Sequence, residues 1–329
     1  MPPFLDLEYN IIYFIQRAKA GNVKSVKSLL NPTYGLIHPK YWLNWVGIAL
    51  LSTVCLLPRG SRTTFGSLIG LLAFVIAKRR REIVEKNLRV CFPNLPDKEV
   101  KKKIIRNFRS SGTAILETFE AWAFPQRDFE SLVEFEGLEL LVEAKKRGKG
   151  VLLVGNHLCS LDLCGAALSR KIPFHVMYKR NKNLLINTIM NRGRTRNFES
   201  IVERKNIRRV IRILREGSII WYGPDQDFGE KNSVFVPFFG FPTATITATS
   251  RIAQSTNASV IFMSQYRKEK GRYFVKLSGT SEDFPSNDIS ADCEIINKKI
   301  EEAILLAPDQ YWWLHRRFKT RPPGEEKIY

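Results

Sequence analysis

The sequence predicts an α/β fold with a membrane-anchoring segment ahead of it, and three features carry that prediction. Short aliphatic runs alternate with helix-periodic stretches from about residue 131 onward, as where helices flank a sheet. The run at residues 151–154, bounded by Gly150 and Gly155, opens onto Asn156-His157 and then, five positions past the histidine, Asp162. Residues 41–57 carry no charge and begin with Tyr41, Trp42 and Trp45 beside Lys40, the pattern of an apolar segment with an interfacial aromatic belt.

Taken in order, residues 1–35 form an N-terminal extension. Its aromatic and aliphatic residues at 9–14 and its Arg17, Lys19, Lys24 and Lys27 suit an amphipathic helix on a membrane surface. Pro2, Pro3, Asp6 and Glu8 stand where a secretory signal would have a basic region. Residues 36–78 read as the anchor. The stretch 41–57 is at the short limit for a span. The shorter one at 65–77 runs into Lys78-Arg79-Arg80-Arg81, a cluster that favours an anionic cytoplasmic leaflet. Two buried core helices are the competing reading. Residues 79–130 are helical in pattern, broken at Pro93-Asn94-Leu95-Pro96-Asp97. Residues 131–329 form the α/β core, with strands expected at 151–154, 173–178, 218–222, 258–263 and 273–277. A helix is expected over 160–168, with Ser160 as its N-cap and Asp162 in its first turn.

Composition bounds the partners. At 329 residues, 44% hydrophobic and 26% charged, the chain can bury a core and is not of the disordered class. Its 52 Lys+Arg against 32 Asp+Glu give a formal charge of +20. That charge calls for an anionic partner: a phospholipid surface, a phosphorylated or carboxylated substrate, an acidic carrier protein, or nucleic acid. Nucleic acid is disfavoured because Trp42, Trp45 and Phe74 lie in apolar stretches and do not interleave with basic residues as stacking platforms. Five cysteines without C-x-x-C spacing suggest neither a disulfide framework nor a zinc site. Cys159 and Cys164, flanking the His/Asp run, read as small core residues and not as nucleophiles.

Ligand chemistry in such sheets collects at the carboxyl ends of strands. A carboxylate beside His157 would fix its tautomer and stabilise the imidazolium, so that the other ring nitrogen could take a proton from a hydroxyl. His157 with Asp162 is therefore a candidate base and orienter; the bland alternatives are a satisfied turn histidine and a helix-capping charge. Further strand ends deliver Lys179-Arg180 and, a helix later, Arg192, Arg194 and Arg196, whose guanidinium forks suit phosphate or carboxylate. Asp225 and Asp227 follow at a Pro/Gly turn, where acids can be metal ligands, general acids or turn formers. The apolar, proline-marked residues 234–242 suit the wall of an acyl-chain groove or an ordinary buried strand.

Together, Gly155-Asn156-His157-Leu158-Cys159-Ser160-Leu161-Asp162, Asn191-Arg192-Gly193-Arg194, Gly223-Pro224-Asp225-Gln226-Asp227-Phe228-Gly229 and Tyr311-Trp312-Trp313-Leu314-His315-Arg316-Arg317-Phe318-Lys319-Thr320-Arg321-Pro322 resemble the late acyltransferases of lipid A biosynthesis in Gram-negative bacteria, most closely the lauroyl-type branch. The likeness runs from about Pro39 to the C-terminus and includes Glu117-Thr118-Phe119-Glu120-Ala121-Trp122. The wider glycerolipid acyltransferase superfamily shares the H-x-x-x-x-D/E signature. Many close relatives have Glu where this chain has Asp162.

The resemblance implies a mixed central sheet flanked by helices and an inner-membrane enzyme working at the cytoplasmic face. It would move an acyl chain from acyl carrier protein to a hydroxyacyl chain of a Kdo-bearing lipid A precursor, with no cofactor and no metal. His157 would be the general base and Asp162 its orienter, with Asn156 beside them as a substrate-binding residue. Lys179, Arg180, Arg192, Arg194 and Arg196 would face phosphates or Kdo carboxylates. His315, Arg316 and Arg317 would meet substrate or carrier, and Asp225 and Asp227 would pair these cations. The rivals are a related acyltransferase acting on a glycerophospholipid or another glycolipid, and a non-catalytic basic membrane- or nucleic-acid-binding protein. The Asp225-Gln226-Asp227 turn and the 315–321 tail argue against the first, since phospholipid enzymes usually carry a Pro-Glu-Gly-Thr-like motif.

Overall fold

Between residues 42 and 123, ahead of the sheet, lie four α-helices in the computed structural model, which describes residues 35–280 and 284–329. They are α1 (Trp42–Cys55), α2 (Arg59–Ile76), α3 (Lys78–Cys91) and α4 (Asp97–Ala123). The expected amphipathic segment at 1–35 lies almost wholly outside the described residues. The turn between α3 and α4 falls at the proline-marked break.

Among the described residues, no single helix is long and apolar enough to cross a membrane; α2 and α3 pass that test only jointly, bent by 97°. The 14-residue α1 is about 21 Å long against an apolar core of about 30 Å. Both N-terminal helices leave large apolar side chains bare, Leu43 at 84% and Leu50 at 63% on α1, Leu72 at 61% and Val75 at 68% on α2. This differs from the buried-core reading of these segments. Their inner faces pack on α4: Tyr41, Ile48 and Cys55 meet Leu116, Phe119 and Ala123. The approach of α2 to α4 is backbone-close, since a Cβ on Gly70 would lie 2.1 Å from the Phe108 carbonyl oxygen and one on Gly112 2.2 Å from that of Gly66.

The core sheet is seven-stranded and mixed. Its strands are β1 (Val133–Glu136), β2 (Val151–Gly155), β3 (His175–Tyr178), β4 (Ser200–Glu203), β5 (Ile219–Tyr222), β8 (Ser259–Arg267) and β9 (Tyr273–Gly279). The order is β1-β9-β8-β2-β5-β3-β4; only the β8–β9 pair is antiparallel. The continuous apolar run of β2 is explained by its place in the middle, covered on both faces. Leu152, Val154, Ile220 and Tyr222 point into one core, and Val151, Leu153, Ile219 and Trp221 into the other.

Helices α5 (Leu138–Lys146), α6 (Leu161–Lys171), α7 (Leu184–Asn197), α8 (Ile207–Arg215), α9 (Ala248–Thr256) and α10 (Ile289–Leu306) fill the crossovers and flank the sheet. Residues 234–242 form most of a hairpin, β6 (Ser233–Phe238) and β7 (Phe241–Ile246). Its aromatic side chains are spent on packing: Phe238 and Phe241 contact Phe318, and Phe239 contacts Phe92.

The glycine seam makes a stability prediction. Gly70→Leu should push α2 off α4 and lower the unfolding free energy by about 1–3 kcal/mol, the usual cost of overpacking, whereas Gly60→Leu, with open space around its Cα, should not. Urea denaturation in detergent followed by circular dichroism checks it.

Candidate active site

The loop after β2 is the centre of the site, and parts of the chain far away in sequence hold it. Backbone N–H groups of Cys159 and Trp312 donate to the carbonyls of Gln310 and His157 at 2.8 and 3.0 Å, so residues 310–312 run alongside the loop. From β8, Gln265 Nε2 donates to the Asn156 and Leu158 carbonyls, 3.3 Å each. Four loop residues, Asn156, Leu158, Cys159 and Ser160, are almost fully buried. The His157 side chain is not; it keeps 32% of its surface.

Asp225, at the carboxyl end of β5 and one strand over, grips His157 twice. Its Oδ2 accepts the His157 backbone N–H at 2.8 Å, and its Oδ1 lies 2.6 Å from Nδ1. Tyr311 Oη donates to the Asp225 backbone carbonyl at 3.1 Å. Gly223 admits the ring, since a Cβ there would lie 3.0 Å from His157 Cε1. Burial pushes the Asp225 carboxyl up, but the His157 charge and hydrogen bonds outweigh it and hold it below the usual carboxylate range. An ionised carboxylate only accepts, so Nδ1 is the donor and the lone pair of neutral imidazole sits on Nε2. Nε2 has no hydrogen-bond partner among the described residues. Burial likewise pushes the imidazole pKa down, and Asp225 more than reverses this, leaving it raised.

This corrects the expected pairing of His157 with Asp162. Asp162 sits in the first turn of α6 as expected, but both its oxygens are taken by Arg194, Nε to Oδ1 at 2.8 Å and Nη2 to Oδ2 at 3.0 Å. A bidentate guanidinium fork outcompetes a single ring nitrogen for the carboxylate. Arg194 also stacks over Trp122, 5.6 Å from the ring centre, and its charge still reaches His157. Ser160 is a second correction. It does not cap α6 with its side chain; it adopts φ 69° and turns its hydroxyl to Glu117 Oε2 at 2.6 Å.

In the sequence Glu117 stands out only as part of the 117–122 motif; in the fold it lies on α4. It is a buried junction: Arg267 of β8 donates Nε and Nη2 to its two oxygens at 2.5 and 2.8 Å, and Tyr273 Oη donates at 2.8 Å. Three elements, α4, β8 and β9, and the loop after β2 meet on one carboxylate. Nothing local in the sequence marks Arg267 as the partner of Glu117 or Gln265 as a support of the loop, because the register of β8 alone brings them there. The two cysteines beside the motif are buried, and burial pushes the Cys159 thiol up to about 11, so it stays protonated at neutral pH.

The remaining expected site residues divide. Lys179, Arg180, Arg192 and Arg196 are exposed and make no ion pair among the described residues. Asn156 is buried, its Oδ1 accepting from Leu158 N–H at 3.3 Å, so it shapes the loop. Asp227 does not pair cations. It accepts from Thr320 N–H at 2.7 Å, Thr320 Oγ1 at 2.9 Å and Gly229 N–H at 2.9 Å, clamping the tail.

Of the tail residues expected to meet substrate or carrier, His315 and Arg317 are spent on structure. His315 Nε2 accepts from Asp227 N–H at 3.1 Å, and burial drives its pKa down to about 4, so it is neutral. Arg317 is 2% exposed, donates to the Ala244 carbonyl at 2.7 Å and lies over Phe238. Arg316 rests over Tyr329 at 5.6 Å. Burial explains the difference, since tail residues that read as a basic surface close over the β6–β7 hairpin.

The sequence profile described as "Bacterial lipid A biosynthesis acyltransferase" matches residues 33–320. The chain belongs to this family. It is 37% identical over 296 residues to the lipid A biosynthesis lauroyltransferase of Escherichia coli K12, covering 89% of this chain and 97% of that one. The palmitoleoyltransferase of the same organism is also 37% identical, over 295 residues and 89% and 96% of the two chains. A lipid A biosynthesis acyltransferase of Haemophilus influenzae is 36% identical over 291 residues, or 87% and 93%. The protein is thus an acyltransferase of lipid A biosynthesis. Equal identity to lauroyl and palmitoleoyl enzymes means that overall similarity does not set the acyl length.

Replacing Glu117 by Gln should leave the buried Arg267 without its counter-charge and cost about 3–5 kcal/mol. Guanidinium denaturation of the two proteins, compared at neutral pH, measures it.

Proposed function

We propose that this acyltransferase moves a fatty acyl chain, lauroyl or similar, from acyl carrier protein to a hydroxyacyl chain of a Kdo-bearing lipid A precursor, at the cytoplasmic face of a bacterial inner membrane. The observation that carries the reading is His157. Its Nδ1 is held by the buried Asp225 carboxylate and its Nε2 is left unpartnered at the carboxyl edge of the sheet.

In this mechanism Nε2 takes the proton of the acceptor hydroxyl as that oxygen attacks the thioester carbonyl carbon. Asp225 stabilises the resulting imidazolium. The carbonyl electrons go to oxygen, and Arg194, kept in place by Asp162, stabilises that oxyanion. Collapse breaks the carbon–sulfur bond, and the imidazolium returns its proton to the leaving thiolate. No acyl-enzyme forms.

Lys179, Arg180, Arg192 and Arg196, exposed and free of carboxylate partners among the described residues, serve the phosphates and Kdo carboxylates of the acceptor. The bare apolar faces of α1 and α2 rest in the membrane interface, with Lys78, Arg79, Arg80 and Arg81 toward anionic headgroups.

The test is a detergent assay with Kdo-lipid IVA and a panel of acyl carrier protein thioesters, read by mass spectrometry. Wild type should add one acyl mass, and His157→Ala should turn over about 10²–10⁴-fold more slowly while still binding lipid. Addition to phospholipid acceptors only would replace this acceptor assignment, and an undiminished His157→Ala rate would remove the base.

A further inference from the structure

Residues 204–216, which follow β4 and include α8, carry six cations, Arg204, Lys205, Arg208, Arg209, Arg212 and Arg215, against one acid, Glu216. All six are exposed, and none makes an ion pair among the described residues. Helix α8 buries Val210, Ile213 and Leu214, so Arg208, Arg212 and Arg215, at i, i+4 and i+7, form one stripe on its outer side. Like charges at these spacings repel, and the first turn holds no acid to meet the helix dipole. Three of the cations have uncharged supports: Arg204 lies over Phe228 at 5.9 Å, Arg209 donates to Ser200 Oγ at 3.0 Å, and Arg215 donates to the Ser255 carbonyl at 3.2 Å. The side chains of Lys205, Arg208 and Arg212 touch no partner among the described residues.

The stripe starts at the rim of the site. Three strand spacings of about 4.8 Å separate β4 from β2, which puts the start of α8 on the order of 14 Å across the carboxyl edge of the sheet from the loop that holds His157. The Arg204 N–H donates to the Tyr178 carbonyl at 2.9 Å, so the exposed, unpaired Lys179 and Arg180 continue the positive surface toward that loop. The apolar α1 lies on the other face. It packs with Leu185 of α7, and the steps from β2 to β3 and β3 to β4 run one way across the sheet while the step from β4 to β5 runs back, so right-handed crossovers put α6 and α7 opposite α8. The cores agree, since α8 shares one with Leu152 and Val154 and α6 shares the other with Val151 and Leu153. Only Ile207, 39% exposed beside the stripe, is large, apolar and bare on α8, which has no aromatic residue. Dense arginine around a small apolar spot fits a protein partner, while a bilayer would gain little hydrocarbon here and a nucleic acid no stacking platform.

We propose that the outer face of α8, centred on Arg208 and Arg212, is the docking surface for the acidic face of the acyl carrier protein, a proposal that rests on the carrier-bound donor of the acyl-transfer reading. Five of the six cations are arginines, whose forks pair bidentately with carboxylates. Their summed field also steers an acidic partner to this edge of the sheet. A carrier docked here stands beside the site and not over it. Its flexible thioester arm runs along the carboxyl edge past Lys179 to His157, and the lipid acceptor approaches from the face that carries α1.

The experiment uses the full chain in a non-ionic detergent with Kdo-lipid IVA as acceptor and two donors, lauroyl-acyl carrier protein and lauroyl-pantetheine, which has the thioester without the protein. Arg208→Glu with Arg212→Glu should raise KM for the carrier thioester about tenfold or more and leave kcat, and the rate with lauroyl-pantetheine, as in the parent. Arg208→Gln with Arg212→Gln, which adds no charge of the opposite sign, should give a smaller rise in the same KM. Lys146→Glu, on the exposed last turn of α5, should change neither donor. Four results overturn the docking surface: a parental KM in both double variants, an equal loss with lauroyl-pantetheine, an equal loss in Lys146→Glu (general surface charge), or a rise in KM for the lipid acceptor in place of the carrier (a lipid-facing patch). A parent enzyme that uses both donors equally well would instead remove the carrier as donor, and the docking surface with it.

Discussion

The contact between Asp225 and His157 is the constraint to which the rest of the molecule answers. A carboxylate buried to 1% exposure can accept both a backbone amide and a ring nitrogen of the same residue only if β2 and β5 are adjacent, parallel and in register. The seven-stranded order supplies that adjacency. The loop after β2 is thereby fixed in backbone and in tautomer by one side chain, and the exposed edge of the His157 ring is left unpartnered among the described residues.

Everything packed behind the loop keeps that geometry from relaxing. Glu117 holds Ser160, Arg267 and Tyr273 together from α4, and Asp227 ties the tail back through Thr320 and His315. Because α4 also carries Glu120 and the glycine seam against α2, a single long helix links the site to the apolar N-terminal helices.

Much of this was legible in the sequence because it depends on local pattern. The run at 151–154 announced a central strand by being apolar on both faces, and His157 by standing immediately after it. The five strands expected from aliphatic runs all exist, with β8 extending past its expected end to Arg267. The sequence spacing H-x-x-x-x-D suggested the wrong carboxylate for His157. Positions five apart look close, but Asp162 is on the first turn of a helix facing α7, where Arg194 meets it, whereas Asp225 is distant in sequence and one strand away in space. The tail misled for a related reason. A run of His315, Arg316, Arg317, Lys319 and Arg321 reads as a basic surface, and only tertiary packing makes Arg317 a buried strut.

The most direct test of this account is the pH dependence of kcat/KM for Asp225→Asn beside Asp162→Asn. In the proposed mechanism the working form of His157 is neutral, so activity should rise with pH through the imidazole pKa, which Asp225 holds above its ordinary value of about 6.5. Removing the Asp225 charge should move the acid limb to lower pH by more than removing Asp162 does, with kcat/KM on the plateau down by about 10²–10⁴ as the tautomer is lost. If Asp162→Asn moves the limb further while Asp225→Asn leaves it in place, Asp162 is the partner of His157 and the central contact described here is not the working one.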